Sequence, residues 1–197
     1  MTIVLRKEER HKGIAIPVSF IDDKPRFLTM RDRRFKEWLF VTGGCRKREV
    51  FNPLRCALRE LEEETRGVIN LKNGKFSYFK FTTKERSAEE KTKDIADGIE
   101  VTLVYHVYVI EFNVNRTIQG NLINRFNYQR ARTELRKKNK LPIRRTYDEN
   151  DFMSFDTLDE FKRRRLWDLI DKNIIQNPAF YVALTSSNRE IFNMSRN

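Results

Sequence analysis

The carboxylates of one short segment are the residues best suited to chemistry in this chain. Glu60, Glu62, Glu63 and Glu64 lie within five successive positions of a 197-residue protein whose formal net charge is +12. Carboxylates packed this closely repel one another and resist joint ionisation, so the cluster costs stability unless cations bind in it. Because Mg²⁺ prefers carboxylate and phosphate oxygens, the segment indicates a metal site that handles phosphates.

A helix must carry these carboxylates. Asn52 and Pro53 are typical of a helix start, and Gly67 suits its end. Helical spacing of i, i+3 and i+4 places three of the carboxylates on one face, while Glu62 points elsewhere. These three are Glu60, Glu63 and Glu64. Taken alone, such a run is more often a solvated acidic face than a metal site.

The segment before the helix changes this interpretation. An apolar strand ends in Gly43-Gly44, and a basic loop then leads to the helix. Strand, glycine turn and acidic helix together resemble the Nudix hydrolase box, G-x5-E-x7-R-E-U-x-E-E-x-G-U, in which U is aliphatic. The R-E-U-x-E-E portion is matched completely by Arg59, Glu60, Leu61, Glu63 and Glu64.

Two departures from the box indicate a remodelled loop. Glu49 follows Gly44 after four residues instead of five, and nine residues instead of seven separate it from Arg59. The closing glycine, Gly67, comes one place late because Thr65 and Arg66 precede it. The spacing therefore does not identify Glu49 as the loop glutamate of the family.

The resemblance implies an α/β fold, a Nudix-type α/β/α sandwich with a mixed sheet. It places the box at about 43–67 within a single domain of residues 1–197. It also implies a metal-dependent hydrolase of phosphoanhydride bonds, in which Mg²⁺ or Mn²⁺ neutralises phosphate charge and lowers the pKa of bound water. The implied metal ligands are Glu60, Glu63, Glu64 and the backbone carbonyl of Gly44.

The resemblance also assigns catalytic roles to particular residues. Arg59 would orient the carboxylates through a salt bridge, and Glu63 or Glu60 would activate the attacking water. A later loop can supply that base instead, and Glu149 is our choice among the acids at 148–151. Glu100 and Glu111 are alternatives.

A basic stretch at about 113–145 exceeds what a minimal domain of this kind needs. Ten cations and a single acid, Glu134, occur in it, and Leu122 and Phe126 favour an amphipathic helical insertion. A one-sided charge of this size is typical of surfaces that bind polyanions. The cations that we expect to bind substrate or RNA are Arg46, Lys47, Arg48, Arg130, Arg132, Arg136, Lys137 and Lys138.

A finer resemblance, at 56–65 and 177–180, is to the mRNA-decapping Nudix enzymes of large cytoplasmic DNA viruses. It implies capped RNA as the partner and release of m7GDP and 5′-monophosphate RNA in the host cytoplasm. An aromatic residue such as Trp38, Phe51 or Tyr147 would contact the cap base. Two alternatives stay open: a hydrolase of small pyrophosphates (diphosphoinositol or dinucleoside polyphosphates), and a non-catalytic RNA-binding protein.

The remaining expectations concern the other elements and the cysteines. Strands are predicted at 13–20, 26–31, 68–71, 76–82, 100–112 and 152–155, a mobile loop at 83–98 and a helix at 158–172. No apolar run approaches the length of a membrane span. Cys56 is expected to pack as a small apolar residue, and no redox role is expected for it or for Cys45. We therefore expect an intracellular protein.

Overall fold

The computed structural model describes residues 5–194 of the chain. Its strands are β1 (Arg6–Ile21), β2 (Lys24–Asp32), β3 (Trp38–Leu39), β4 (Val41–Gly44), β5 (Asn73–Thr83), β6 (Ile99–Glu111), β7 (Asn150–Asp156) and β8 (Glu190–Asn193). Its α-helices are α1 (Pro53–Glu64), α2 (Ala88–Ala96), α3 (Arg116–Lys138), α4 (Leu158–Lys162), α5 (Asp168–Ile170) and α6 (Pro178–Thr185).

The strands form one mixed sheet. Its order is β3-β2-β1-β6-β5-β8, with β4 paired to β1 and β7 paired to β2. The long strand β1 runs parallel to β6, with Arg6 opposite Ile99 and Val18 opposite Glu111, while the other pairs are antiparallel. Because β4 and β2 pair with different halves of β1, the sheet splits beside the Gly43-Gly44 turn.

Helices cover both faces of this sheet. Alternate residues of β1 and β6 pack on opposite faces, as the period of two in a strand requires. One face packs against α1 and α3, and Phe126 of α3 is completely buried there. The other face packs against the C-terminal helices, with Phe161 and Phe180 at its centre. This arrangement confirms the α/β/α fold class, and α3 confirms that the basic insertion is helical.

Three predicted elements were wrong. Residues 83–98 contain helix α2, because Ser87 and Glu90 form a capping box and the nearly buried Arg86 pairs with Asp94 at 3.2 Å. Residues 68–71 form no strand, since the amide of Ile69 is bonded to Thr65 Oγ1 and not to a neighbouring strand. The predicted helix at 158–172 is broken into α4 and α5, followed by a π-helical turn, Asp171–Ile175.

Across residues 5–194, every helix is too short or too polar to cross a bilayer.

The cysteines also differ from expectation. Cys56 is completely buried, as predicted, but it forms a disulfide with Cys45. The loop after β4 folds back over the first turn of α1, which brings the two Cα atoms to 5.1 Å. A thiol pair at this distance can be bridged without backbone movement. The disulfide therefore fastens the loop that carries Glu49 to the helix that carries the carboxylates.

A chain of hydrogen bonds joins β1, β5 and β6. His11 Nδ1 lies 2.9 Å from His106 Nε2, and Tyr78 Oη lies 2.8 Å from His106 Nδ1. Burial first, and then the neighbouring His11 and Lys80, lower the pKa of His106 to about 4. His106 is therefore neutral in the folded protein at pH 7.

This histidine should make the fold sensitive to acid. Between pH 6.5 and 4 the unfolded chain binds a proton that the folded chain does not, so stability falls as the pH is lowered through this range. The lowered pKa corresponds to a loss of about 3 kcal/mol at pH 4. Urea denaturation of the wild type and of His106→Gln between pH 4 and 7 tests this prediction. The substitution should flatten the pH dependence, and parallel curves for the two proteins would refute it.

Candidate active site

Helix α1 holds its carboxylates against the sheet. Glu60, Glu63 and Glu64 are 8, 5 and 4 % exposed, whereas Glu62 is half-buried. The apolar stripe of the helix packs into the core beside them, so the three carboxylates point to the same side as the glycine turn. Their spacing predicted this shared face, and the structure brings them together.

Two glycines permit this close approach. A Cβ added to Gly13 of β1 would lie 2.7 Å from the backbone nitrogen of Ala57. A Cβ added to Gly43 of β4 would lie 1.9 Å from Glu60 Cδ. The neighbouring Gly44 is less restricted, since the contact found for its Cβ is Lys12 Nζ at 3.7 Å. Thus Gly43, more than Gly44, shapes the space around the carboxylates.

Arg59 bonds to several groups of this site. Its Nη1 donates to Glu60 Oε1 at 2.6 Å and to Glu63 Oε2 at 3.2 Å, and its Nη2 donates to the Gly44 carbonyl at 2.8 Å. Its Nε and Nη2 also donate to both carboxylate oxygens of Glu49, at 2.8 and 3.0 Å. These bonds raise the pKa of Arg59 further, with Glu49 making the largest contribution. Arg59 is therefore a permanent cation that fixes the directions of three carboxylates.

Glu49 belongs to this network although its spacing departs from the family pattern. It is buried in a 3₁₀ turn, Lys47–Glu49, and accepts a hydrogen bond from the Arg46 amide at 2.8 Å. The hydrogen bonds from Arg59 lower the pKa of Glu49. The 3₁₀ turn and the disulfide shorten the path of the loop, which explains how Glu49 reaches Arg59 from an altered position.

In two carboxyl groups of α1, the neighbouring positive charge does not offset the effect of burial on the pKa. Burial raises the pKa of Glu60, and Arg59 offsets this only in part. Burial and the nearby Glu60 raise the pKa of Glu64 well above its usual range, despite a 2.9 Å hydrogen bond from Asn150 Nδ2. Buried carboxylates in such a position are stabilised when a cation binds beside them.

A second loop, before β7, faces the helix. Arg144 Nη2 lies 3.4 Å from Glu63 Oε1, and Arg46 Nη2 lies 3.6 Å from the same oxygen. Partial desolvation and then the charge of Glu63 raise the pKa of Glu149. Arg59 also contacts Glu63, so three arginines (Arg46, Arg59 and Arg144) surround this carboxylate.

Glu149 differs from the other candidate acids because it lines the cavity beside α1. Asp148 pairs with Arg33 and Lys137, and Asp151 pairs with Arg31 and Lys36. The strand alternatives are also paired, Glu100 with Lys84 and Glu111 with Arg189. Among these five acids, Glu149 is thus the one placed to act on a molecule in the cavity.

This cavity has a volume of about 980 Å³ and reaches helix α1. Glu64 and Glu149 form part of its wall, and Phe35, Tyr105 and Trp167 add aromatic surface. Sequence reasoning missed these three aromatic residues. Each has an ordinary place in a turn, a strand or a helix start, and only the folded chain gathers them around one space.

The aromatic residues named from the sequence do not line this cavity. Trp38 is covered by the guanidinium of Arg164, whose Cζ lies 3.6 Å from the ring centroid. Phe51 is 92 % exposed just before α1, and Tyr147 lies beneath Arg144 at 4.6 Å. The cavity wall does not include any of the three.

The basic residues named from the sequence divide into two groups. Arg130 donates to the Asp151 carbonyl at 2.8 Å, Arg136 donates to the Pro142 carbonyl at 2.8 Å, and Lys137 pairs with Asp148. Their positions hold α3 and the following loop against β7. The other five side chains are exposed to solvent. One of them, Arg132, also lies 5.9 Å from the Tyr128 ring. This exposed group consists of Arg46, Lys47, Arg48, Arg132 and Lys138.

The residues around α1 have the chemistry of a divalent-metal site. Within the described residues 5–194, no group of three or more His, Cys, Asp or Glu side chains is arranged to hold a metal ion, and arginines lie beside the carboxylates. The donors nevertheless fit, because all are hard oxygens and the missing side chain of Gly43 lets the Glu60 carboxylate lie against the glycine turn. The residues that could hold the metal are Glu60, Glu63, Glu64 and Gly44 through its carbonyl.

Several solved structures are similar to this chain at low sequence identity. The NUDIX domain of Shewanella oneidensis NrtR complexed with ADP ribose is 11 % identical, covers 81 % of this chain and 79 % of its own, and has a TM-score of 0.48. A NUDIX hydrolase from Nitrosomonas europaea is 12 % identical over 90 % of this chain and 86 % of its own, with a TM-score of 0.44. A C. elegans Ap4A hydrolase is 10 % identical over 76 % and 81 %, with a TM-score of 0.43.

The family itself is shown by the sequence of the domain. No curated protein matches this chain. The sequence pattern of the NUDIX domain family, however, matches residues 10–164. These residues include the glycine turn, α1 and α3. Nudix enzymes generally use divalent metal ions, which agrees with the oxygen donors on α1. The chain belongs to the Nudix family and is a hydrolase that acts on phosphoanhydride bonds.

Proposed function

We propose that this protein removes the 5′ cap of RNA, releasing m7GDP and RNA with a 5′ monophosphate. The observation that carries this proposal is the connection between the basic insertion and the catalytic helix. The C-terminal end of α3 meets the loop before β7 through Lys137 and Asp148, and Arg144 of that loop reaches Glu63. Cationic side chains therefore continue from the carboxylates to the exposed end of α3, where a trailing RNA strand can bind.

The cavity suits the cap base. Methylation at N7 gives guanine a positive charge, and aromatic faces together with carboxylates bind such a cation. Besides its aromatic residues, the cavity wall contains seven acidic and five basic side chains. We place the methylated base against Trp167 or Phe35 in this cavity and the phosphates at α1.

The residues of the chain divide the catalytic work. Mg²⁺ or Mn²⁺, when bound by Glu60, Glu63, Glu64 and the Gly44 carbonyl, supplies charge neutralisation and activation of water. Arg59 keeps the carboxylates in place through the bonds described above. Glu149, which has a raised pKa and faces the cavity, accepts the proton of the attacking water. Arg46 stands at the same carboxylates and binds phosphate oxygens.

Charge reversal at the exposed end of α3 tests the RNA assignment. Arg132→Glu with Lys138→Glu should lower kcat/KM on capped RNA by about tenfold or more, because two phosphate contacts are lost. Hydrolysis of a cap dinucleotide should change little, since it does not reach α3. Arg130 and Lys137 are left intact because they hold α3 in place.

The matched control is Lys24→Glu, at the exposed start of β2, which should leave both activities unchanged. An equal loss on both substrates, or no loss on either, would contradict an RNA track along α3. In that case a small pyrophosphate, such as a diphosphoinositol or dinucleoside polyphosphate, becomes the favoured substrate. A cytoplasmic location in the host of a large DNA virus follows from the same proposal.

A further inference from the structure

Arg66 is the residue that lengthens the end of the Nudix box. In the family pattern one residue separates the last glutamate from the glycine, whereas here Thr65 and Arg66 both precede Gly67. Arg66 and Gly67 have φ angles of 58° and 76°, so two successive residues adopt the left-handed conformation. This conformation is unfavourable for arginine, and it persists only where the surrounding structure holds it.

The side chain of Arg66 provides that restraint. Arg66 is 3 % exposed, and its Cζ lies 5.3 Å from the ring centroid of Phe126 in α3. Nη1 donates to Thr133 Oγ1 of α3 at 2.8 Å, and Nη2 donates to the Asn150 carbonyl of β7 at 2.9 Å. Both hydrogen-bond partners are neutral oxygens. A buried guanidinium is costly, so its retention here points to a positioning role.

The contact with Asn150 leads directly to the catalytic helix. Asn150 is itself buried, and its side-chain Nδ2 donates to Glu64 Oε2 at 2.9 Å. Arg66 therefore fixes the backbone of the residue whose side chain fixes Glu64. The same guanidinium also binds α3. One arginine thus joins the inserted helix, the first residue of β7 and a carboxylate of α1.

We infer that Arg66 is a positioning residue that couples the docking of helix α3 to the orientation of Glu64. The insertion then has two roles: its exposed end binds the polyanion, and its buried face completes the support of a metal ligand. This inference rests on the proposed role of Glu64 in binding a divalent cation. Supporting residues of metal ligands typically change metal affinity by about 10- to 100-fold when they are replaced.

The test is Mn²⁺ binding by wild type, Arg66→Lys and Asn150→Ala, measured by calorimetry without substrate. Lysine keeps the charge but loses the second donor group, so Arg66→Lys should weaken Mn²⁺ binding by about tenfold or more. Asn150→Ala should show a similar loss, and the double variant should be little worse than either one, because both act through Glu64. With a small pyrophosphate, kcat should recover at saturating Mn²⁺ while KM stays unchanged.

A matched control separates positioning from general stability. Arg189→Lys alters another arginine whose side chain is only 8 % exposed and pairs with Glu111, and it should lower the melting temperature without changing Mn²⁺ affinity. If Arg66→Lys does not fold, Thr133→Val removes the hydrogen bond between Arg66 and α3, keeps the bond to the Asn150 carbonyl, and should weaken Mn²⁺ binding by a smaller factor. Wild-type affinity in a folded Arg66→Lys, or in Thr133→Val, would overturn the coupling alone. A wild-type protein that binds no Mn²⁺ would overturn the proposed metal site together with it.

Discussion

Replacing Glu63 by glutamine should reduce metal-dependent hydrolysis by about three orders of magnitude. The carboxylate of Glu63 contacts Arg59, Arg46 and Arg144 at 3.2–3.6 Å, and it belongs to the proposed metal ligands. A glutamine has nearly the same shape but no charge, so it fits the site and binds a hard cation poorly. Losing several kcal/mol of charge stabilisation in the transition state corresponds to a factor of this size.

The same variant should keep its fold and its RNA affinity. Because the cationic side chains of α3 are unchanged, binding of capped RNA in the absence of metal should stay within about threefold of the wild type. Glu62→Gln is the matched control, since Glu62 is on the same helix but outside the buried carboxylate group. Turnover by Glu63→Gln at the rate of Glu62→Gln would show that α1 is not the metal-binding element. Loss of turnover with intact RNA binding would also exclude the non-catalytic alternative.

A single methyl group at Gly43 should also reduce turnover strongly. The added Cβ of Gly43→Ala would lie 1.9 Å from Glu60 Cδ and 2.2 Å from Glu60 Oε2, so the carboxylate must leave its position. A displacement of about 1 Å at a catalytic group can cost about 10²-fold in rate. Stability should change little, because the displaced atoms are the end of a flexible side chain.

The neighbouring glycine gives a sharp comparison. In Gly44→Ala the added Cβ would lie 3.7 Å from Lys12 Nζ, which is an ordinary contact. The backbone carbonyl that accepts a hydrogen bond from Arg59 is kept. Most of the turnover should therefore survive in this variant. The readouts are kcat on a small pyrophosphate and the melting temperature of both proteins. Equal losses in the two variants would mean that Gly43 matters for the turn and not for the space beside Glu60.

The catalytic helix could be predicted from the sequence because its signals are local. Asn52 is the N-cap and Pro53 the first residue of the helix, and the spacing of Glu60, Glu63 and Glu64 fixes their common face. The basic insertion was recognisable as helical for the same reason, since Leu122 and Phe126 are four residues apart and both are buried.

Features that depend on distant contacts could not be predicted in this way. Helix α2 is short, highly charged and mostly exposed, and its buried residue, Asp94, pairs with Arg86 from outside the helix. Residues 68 and 69 are apolar because they pack beneath α1, not because they belong to a strand. The disulfide between Cys45 and Cys56 required the exact path of the loop after β4.

The candidate site shows the same division between local and distant information. The box predicted the carboxylates and Arg59, but altered spacing hid the part played by Glu49, which becomes clear only from its hydrogen bonds with Arg59. The aromatic wall of the cavity comes from separate elements, so Tyr105 and Trp167 carried no common signal in the sequence. The role of Arg66 was hidden because its partners lie 67 and 84 residues away.

Product analysis with cap-labelled RNA tests the central claim most directly. The wild-type protein would be incubated in Mg²⁺ and in Mn²⁺ with capped RNA, dinucleoside polyphosphates and diphosphoinositol polyphosphates. We predict that the label leaves as m7GDP, that the RNA keeps a 5′ monophosphate, and that capped RNA has the highest kcat/KM of the panel. Hydrolysis of the small pyrophosphates with no release of the label from capped RNA would contradict the account.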